Sequence, residues 1–285
     1  MSELTVINTN DYAAMAKMMG MAYDTDSESK SSLARLRVNK KPLYGETNMN
    51  GKIVKVEVLS GGFELKNGTT VYAESAIIRP FVQRFMYQKY DPNSNTYVKT
   101  LMADTFNVDL KDTVGDFNCG KPSGWIEDFN SLPQETKDLL RAIKRTRVVY
   151  GTVTMPDAVT EEGDAHPIED IPFVWDVDTK EGFKNMGGVF AKLLKMKRLP
   201  MLHTINLSTA KRDLPTGNSY YVPVPELNMY MQSSIEISDE DQGLFTSFME
   251  SIESHNDYVL NEWNKNNKPV ESDGFIEVTD AEESV

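Results

Sequence analysis

TVYAESAIIRPFVQRFMYQKY, residues 70–90, is a long run rich in β-branched and aromatic residues. It lies between the turn dipeptides Asn67-Gly68 and Asp91-Pro92, and this bounded composition predicts an extended strand rather than a helix. On its N-terminal side KIVKVEVLSGGFEL (52–65) alternates apolar and polar residues and breaks at Gly61-Gly62, where a tight turn or bulge is expected. On its C-terminal side NTYVKTLMA (95–103) reads as its hairpin partner. Further upstream, LARLRVNKKPLYG (33–45) sets Leu33, Leu36 and Val38 against Arg35, Arg37 and Lys40. These segments together describe a β-rich module with short turns.

Outward from this module the period changes. Asn10-Asp11 caps a helix predicted over 12–23 with Met15, Met18, Met19 and Ala22 on one face and Met21 off it, and DTDSESKSS (24–32) is a polar connector. Residues 104–135 are turn-rich and poorly periodic, and the segment ends in a helix predicted over 132–147, LPQETKDLLRAIKRTR. Strands are expected at VVYGTVTMP (148–156) and IPFVWDVD (171–178), separated by an acidic insertion read as an exposed hairpin loop. EGFKNMGGVFAKLLKMKR (181–198) is a second helix, stopped by Pro200. LHTINLST and SYYVPVPEL form two more strands around DLPTGN. Ser238 followed by Asp239, Glu240 and Asp241 opens a long final helix carrying Leu244, Phe245, Phe248, Met249, Ile252, Val259 and Trp263. The expected fold class is α+β and β-rich. Its parts are an N-terminal helix and connector (1–32), a body with inserted helices (33–235), a C-terminal helix (236–268) and an acidic disordered tail (269–285).

Charge is distributed unevenly. The chain carries −13 overall, yet Glu236–Val285 holds 14 acids against 2 bases, which leaves 29 acids and 28 bases in residues 1–235. The last stretch has six carboxylates, no base and too few apolar groups to offset the entropy of ordering it. No apolar run approaches the roughly 18 residues of a membrane span, and the first residues have neither a basic leader nor an apolar core. With Cys119 as the single cysteine there is no internal disulfide, and a cytoplasmic location is expected.

Three enzymatic patterns carry little weight. Gly115…Gly120-Lys121 has P-loop spacing, but Pro122 stands where a magnesium-binding hydroxyl is needed. Asp104, Asp109, Asp112 and Asp116 could in principle hold divalent metals for phosphodiester hydrolysis, though their irregular spacing suits a solvated loop. Cys119 has no neighbouring histidine in the sequence. No cofactor or metal is expected.

The more coherent pattern is basic and aromatic. Arg79, Arg84 and Lys89 interleave with Phe81, Phe85, Tyr87 and Tyr90, which supplies cations for phosphates and π-faces for bases. The alternative is a half-buried strand whose aromatics are core. Further bases cluster at Arg35, Arg37, Lys40 and Lys41, at Arg141, Lys144, Arg145 and Arg147 on the predicted middle helix, and at Lys192, Lys195, Lys197, Arg198, Lys211 and Arg212. Segregation of this kind within a near-neutral body is what a groove for nucleic acid requires.

The run from IPFVWDVDTKEGFKNMGGVFAKLLKMKRLPMLHTINLST to NSYYVPV, with FNCGKPSGWIEDF and RTRVVYG, resembles tailed-phage single-stranded DNA-binding proteins. The resemblance covers most of residues 1–265. It implies an elaborated OB-like barrel that coats single-stranded DNA without sequence preference in phage replication or recombination, in the host cytoplasm. Nucleic-acid contacts are expected at Arg79, Phe81, Arg84, Phe85, Tyr87, Lys89, Tyr90, Arg145, Arg147 and Lys197. The tail is expected to regulate binding and to contact replication or recombination proteins through Phe275, Ile276, Glu277, Asp280, Glu282 and Glu283. Such tails often end in an aromatic or aliphatic-aromatic tip, whereas this one ends Glu-Ser-Val with Phe275-Ile276 set inside it. Two other classes stay open: a metal-dependent nuclease using the 104–128 carboxylates, and a virion or assembly protein using the Met-rich N-terminus and final helix as interfaces. A homodimer is compatible with the sequence.

Overall fold

The computed structural model describes residues 33–40, 43–59, 61–106, 108–116, 119, 128–215, 217–228 and 235–267. The expected N-terminal methionine helix and the acidic tail with Phe275, Ile276, Glu277, Asp280, Glu282 and Glu283 lie outside the described residues.

The chain runs β1 (Ala34–Val38), β2 (Leu43–Met49), β3 (Lys52–Leu59), β4 (Phe63–Asn67), β5 (Thr69–Ala73), β6 (Ala76–Asp91) and β7 (Thr96–Lys99). It continues α1 (Gln134–Ala142), β8 (Lys144–Met155), β9 (Ile168–Val177), α2 (Lys180–Lys195), β10 (Ile205–Asp213), β11 (Ser219–Leu227) and α3 (Asp239–Asn266). This is the α+β, β-rich class that the alternating segments predict. Nine strands form one sheet in the order β11-β10-β6-β8-β9-β1-β4-β5, with β7 paired to the far half of β6. Every pairing is antiparallel except β1 with β9. β2 and β3 form a separate hairpin.

The hydrogen-bonded path does not close, so the expected barrel is an open sheet. Both edges oppose further pairing. β11 carries Pro223 and Pro225, which have no N–H to donate, and Tyr72 of β5 is already bridged by Val159 of the acidic insertion. That insertion does fold back on itself, through the Val159–Ala165 bridge.

Two helices cover opposite faces of the sheet centre. Met186, Phe190 and Leu193 of α2 pack with Leu36, Phe63, Leu65, Ile78, Val149 and Phe173. Phe248 and Ile252 of α3 pack with Phe81, Val82, Met86, Val148 and Tyr150. β8 is therefore buried on both sides, and every residue from Thr146 to Val153 is interior, the polar Thr146, Arg147 and Thr152 included. The helix predicted to reach residue 147 stops at Ala142, because Lys144–Arg147 are already paired with β6. A smaller cluster joins Leu140 and Ile143 at the end of α1 to Tyr87, Val98, Leu110 and Cys119.

A bulge between Pro80 and Val82 lets β6 serve two cores. Ile78, before it, faces the α2 core; Phe81 and Val82, beside it, enter the α3 core. Gly151 stands opposite, where a Cβ would lie 2.9 Å from Pro80 Cα and closer still to the Arg79 carbonyl. α3 begins in the capping box that the sequence predicts: Ser238 Oγ accepts from Asp241 N, and Asp241 Oδ2 accepts from Ser238 N. Among the described residues, no helix is long and apolar enough to cross a membrane.

Candidate nucleic-acid interface

The ten contact residues named from sequence do not share one surface. Phe81 and Tyr87 are core side chains, 6% and 0% exposed; Phe81 packs edge-on against Phe248, and Tyr87 lies 4.7 Å from Phe106. Phe85 is half-buried between Phe106 and Phe183. Arg79 is consumed by the fold: it donates to both carboxylate oxygens of Asp241 at 2.7 and 2.9 Å and from Nε to the Met201 carbonyl. Arg84 turns toward Met249 of α3, and Lys89 donates to the Cys119 carbonyl. Arg147 is buried under α2. Arg145 and Lys197 are exposed but belong to different parts of the surface, β8 and the segment after α2. Helices on both faces of the sheet and the Pro80 bulge take Phe81 and Arg147 into the interior, while Tyr87 is covered by the smaller cluster of Val98, Phe106, Leu140 and Ile143.

Tyr90 is different. It is 46% exposed and lies opposite Tyr97 of β7, itself 47% exposed, with ring centroids 5.3 Å apart. Tyr97 was not named from sequence, although its place in the predicted hairpin partner sets it beside Tyr90.

Next to this tyrosine pair the sheet opens. β1 and β9 are hydrogen-bonded only at Ala34–Phe173 and Arg35–Val174, yet they continue to Val38 and Val177. Their diverging ends enclose a crevice of about 660 Å3. Parallel strands have no two-residue connection to hold them in register, and β1 and β9 are joined only through the rest of the sheet, so the gap is a product of topology. At its back, Tyr221 of β11 lies against Gly61, where a Cβ would collide with the ring and φ is +73°. Thr209 Oγ1 donates to the Gly61 carbonyl, which ties the Gly61-Gly62 turn predicted from sequence to β10.

The crevice wall is basic and partly aromatic. Arg35, Arg37, Lys40, Lys66 and Lys99 line it, with Tyr72, Tyr97 and Tyr221. Four carboxylates, Glu64, Glu161, Asp176 and Asp178, line it as well. Two of these are bound to lysines, Asp176 to Lys99 at 3.4 Å and Asp178 to Lys144 at 2.8 Å. Arg35, Arg37, Lys40 and Lys66 are exposed and form no ion pair with another described residue. Arg35 and Lys66 stand directly opposite each other on neighbouring antiparallel strands. Like charges so placed repel, which costs stability unless an anion bridges them. The basic segment at 35–40 was visible in the sequence, whereas Lys66 gave no signal because its partnership with Arg35 is made by strand pairing.

Two of the three enzymatic patterns have structural explanations, while Gly120, Lys121 and Pro122 of the P-loop spacing lie outside the described residues. Asp112 is fully buried and accepts from Val114 N and Asp116 N, so its carboxylate shapes a turn; burial raises its pKa despite those bonds. Among the described residues no group of three His, Cys, Asp or Glu is placed to hold a metal ion. Burial pushes the Cys119 thiol up to about 12, which leaves almost no thiolate at neutral pH. Compared with family models, curated proteins and solved structures, the chain has no match.

Proposed function

We propose that this protein binds single-stranded DNA without sequence preference, in phage replication or recombination, and that the strand enters the crevice between β1 and β9. The observation that carries this reading is the directly opposed Arg35–Lys66 pair, continued by Arg37 and Lys40 and flanked by Tyr97 and Tyr90. Cations without carboxylate partners suit phosphates, and exposed rings suit bases. Tyr221 of β11 reaching back to Gly61 brings the end of the strand path against the β3–β4 turn, which supports describing the open sheet as an elaborated, unclosed OB-like barrel.

Ring substitutions separate stacking from packing. Tyr97→Ala should cost about 1–3 kcal/mol in affinity for an oligothymidine, read by fluorescence anisotropy. Tyr87→Ala should instead lower the melting temperature and leave the affinity of the folded protein unchanged. Loss of affinity only in the Tyr87 variant would return the site to β6.

The acidic tail is the proposed regulator of the same site and the handle for replication or recombination proteins. Ending the chain after Lys268 removes six carboxylates and takes the net charge from −13 to −7. The shortened protein should bind single strands more tightly, with a gain that shrinks as salt rises. Equal affinity at low salt would leave the tail no competitive role.

A further inference from the structure

Arg147 is the most unusual charge in the fold. It is 7% exposed, and its Cζ lies 4.9, 4.7 and 5.5 Å from the ring centroids of Phe85, Phe183 and Phe190. Nη1 donates to Gln83 Oε1, while Nε has no partner among the described residues. No described carboxylate pairs with it, and burial pulls its pKa down to about 10. Gly187 permits this approach of α2, since a Cβ there would sit 2.7 Å from Nη2. Aromatic faces offset part of the cost of burying a cation, but they do not neutralise it.

A cavity of about 380 Å3 adjoins the guanidinium, between α2 and the segment 198–200. This is within the roughly 300–1,000 Å3 typical of small-molecule sites. Its lining is mainly hydrocarbon, from Phe190, Leu193, Leu194, Leu199 and Pro200, with Gln83, Arg147 and Arg198 supplying the polar groups. Leu194 and Leu199 are 79% and 55% exposed, so the mouth is apolar as well. A doubly charged phosphoryl group would leave acceptor oxygens facing leucine and phenylalanine, whereas a singly charged head on a hydrocarbon body matches both halves of the lining.

We infer that this cavity binds a small amphipathic carboxylic acid, with its carboxylate on the Arg147 guanidinium and its hydrocarbon body against Phe190, Leu193 and Leu199. The site is separate from the β1–β9 crevice and does not depend on the nucleic-acid reading.

Isothermal titration of the full chain with octanoate, octan-1-ol and inorganic phosphate tests it. Octanoate should bind at least about tenfold more tightly than either of the others. Arg147→Met should abolish the preference for octanoate over the alcohol. Because a buried substitution could disturb folding, the exposed Leu199→Asp provides a second arm: it should weaken octanoate binding with an unchanged unfolding curve and unchanged affinity for single-stranded DNA. Equal binding of the alcohol, equal binding of phosphate, or no octanoate binding at millimolar concentration would each overturn the inference.

Discussion

Asp241→Ala should lower the unfolding free energy by about 3–5 kcal/mol, measured by urea denaturation, because it strips the partner from a largely buried guanidinium. The Arg79 and Asp241 side chains are 15% and 7% exposed, and their bidentate contact joins the bulged part of β6 to the first turn of α3. The same carboxylate caps α3 through Ser238 N, so a helix end is lost along with the ion pair. The hydrogen bond from Arg79 holds the Asp241 carboxyl below the usual carboxylate range. A depressed folded pKa means that this contribution is complete above the unfolded value of about 4 and is lost as pH falls through the lower folded value. Asp241→Asn should therefore be less stable than the parent at neutral pH and should lack this component of the acid-induced loss. Replacing both partners by apolar residues should recover much of the deficit, since no unpaired charge then remains buried.

The second large effect concerns the crevice. Reversing both Arg35 and Lys66 to Glu should weaken binding of an oligothymidine on the order of a hundredfold at low salt, by exchanging two phosphate contacts for two repulsions. Stability separates this from unfolding. Lys66→Glu alone places opposite charges across β1 and β4 at the Arg35–Lys66 register and should raise stability by about 0.2–1 kcal/mol while reducing affinity. The double reversal restores like charges in that position and should return stability near that of the parent while affinity falls further. A site selected for a polyanion rather than for the fold is expected to show this opposition between stability and binding.

Local signals located most of the elements. The β6 run, the Tyr90–Tyr97 hairpin, the Gly61-Gly62 turn and the Ser238 capping box all depend on neighbouring residues, and each forms where its residues predict. Which face of β6 would be free was not legible. The bulge at Pro80 changes its alternation, and the Phe248 ring that covers Phe81 comes from a helix 167 positions away. The crevice was illegible for the same reason, since it arises where β1 and β9, distant in sequence and adjacent in parallel, part after two paired residues. Arg147 appeared as one member of a basic run, but pairing with β6 and burial beneath α2 removed it from the surface. Charge segregation could be read from the chain, whereas the partners of each charge were set by strand order.

The most direct test of the crevice is the salt dependence of single-strand binding by the parent and the Arg35→Glu/Lys66→Glu variant, followed by fluorescence anisotropy on one oligothymidine. The expected result is a plot of log affinity against log salt that is linear for the parent and shallower by about 1–2 for the variant, because two fewer phosphates are neutralised. Parallel lines of equal affinity, from a variant with a parental unfolding curve, would place the strand elsewhere and contradict the assignment of the β1–β9 crevice.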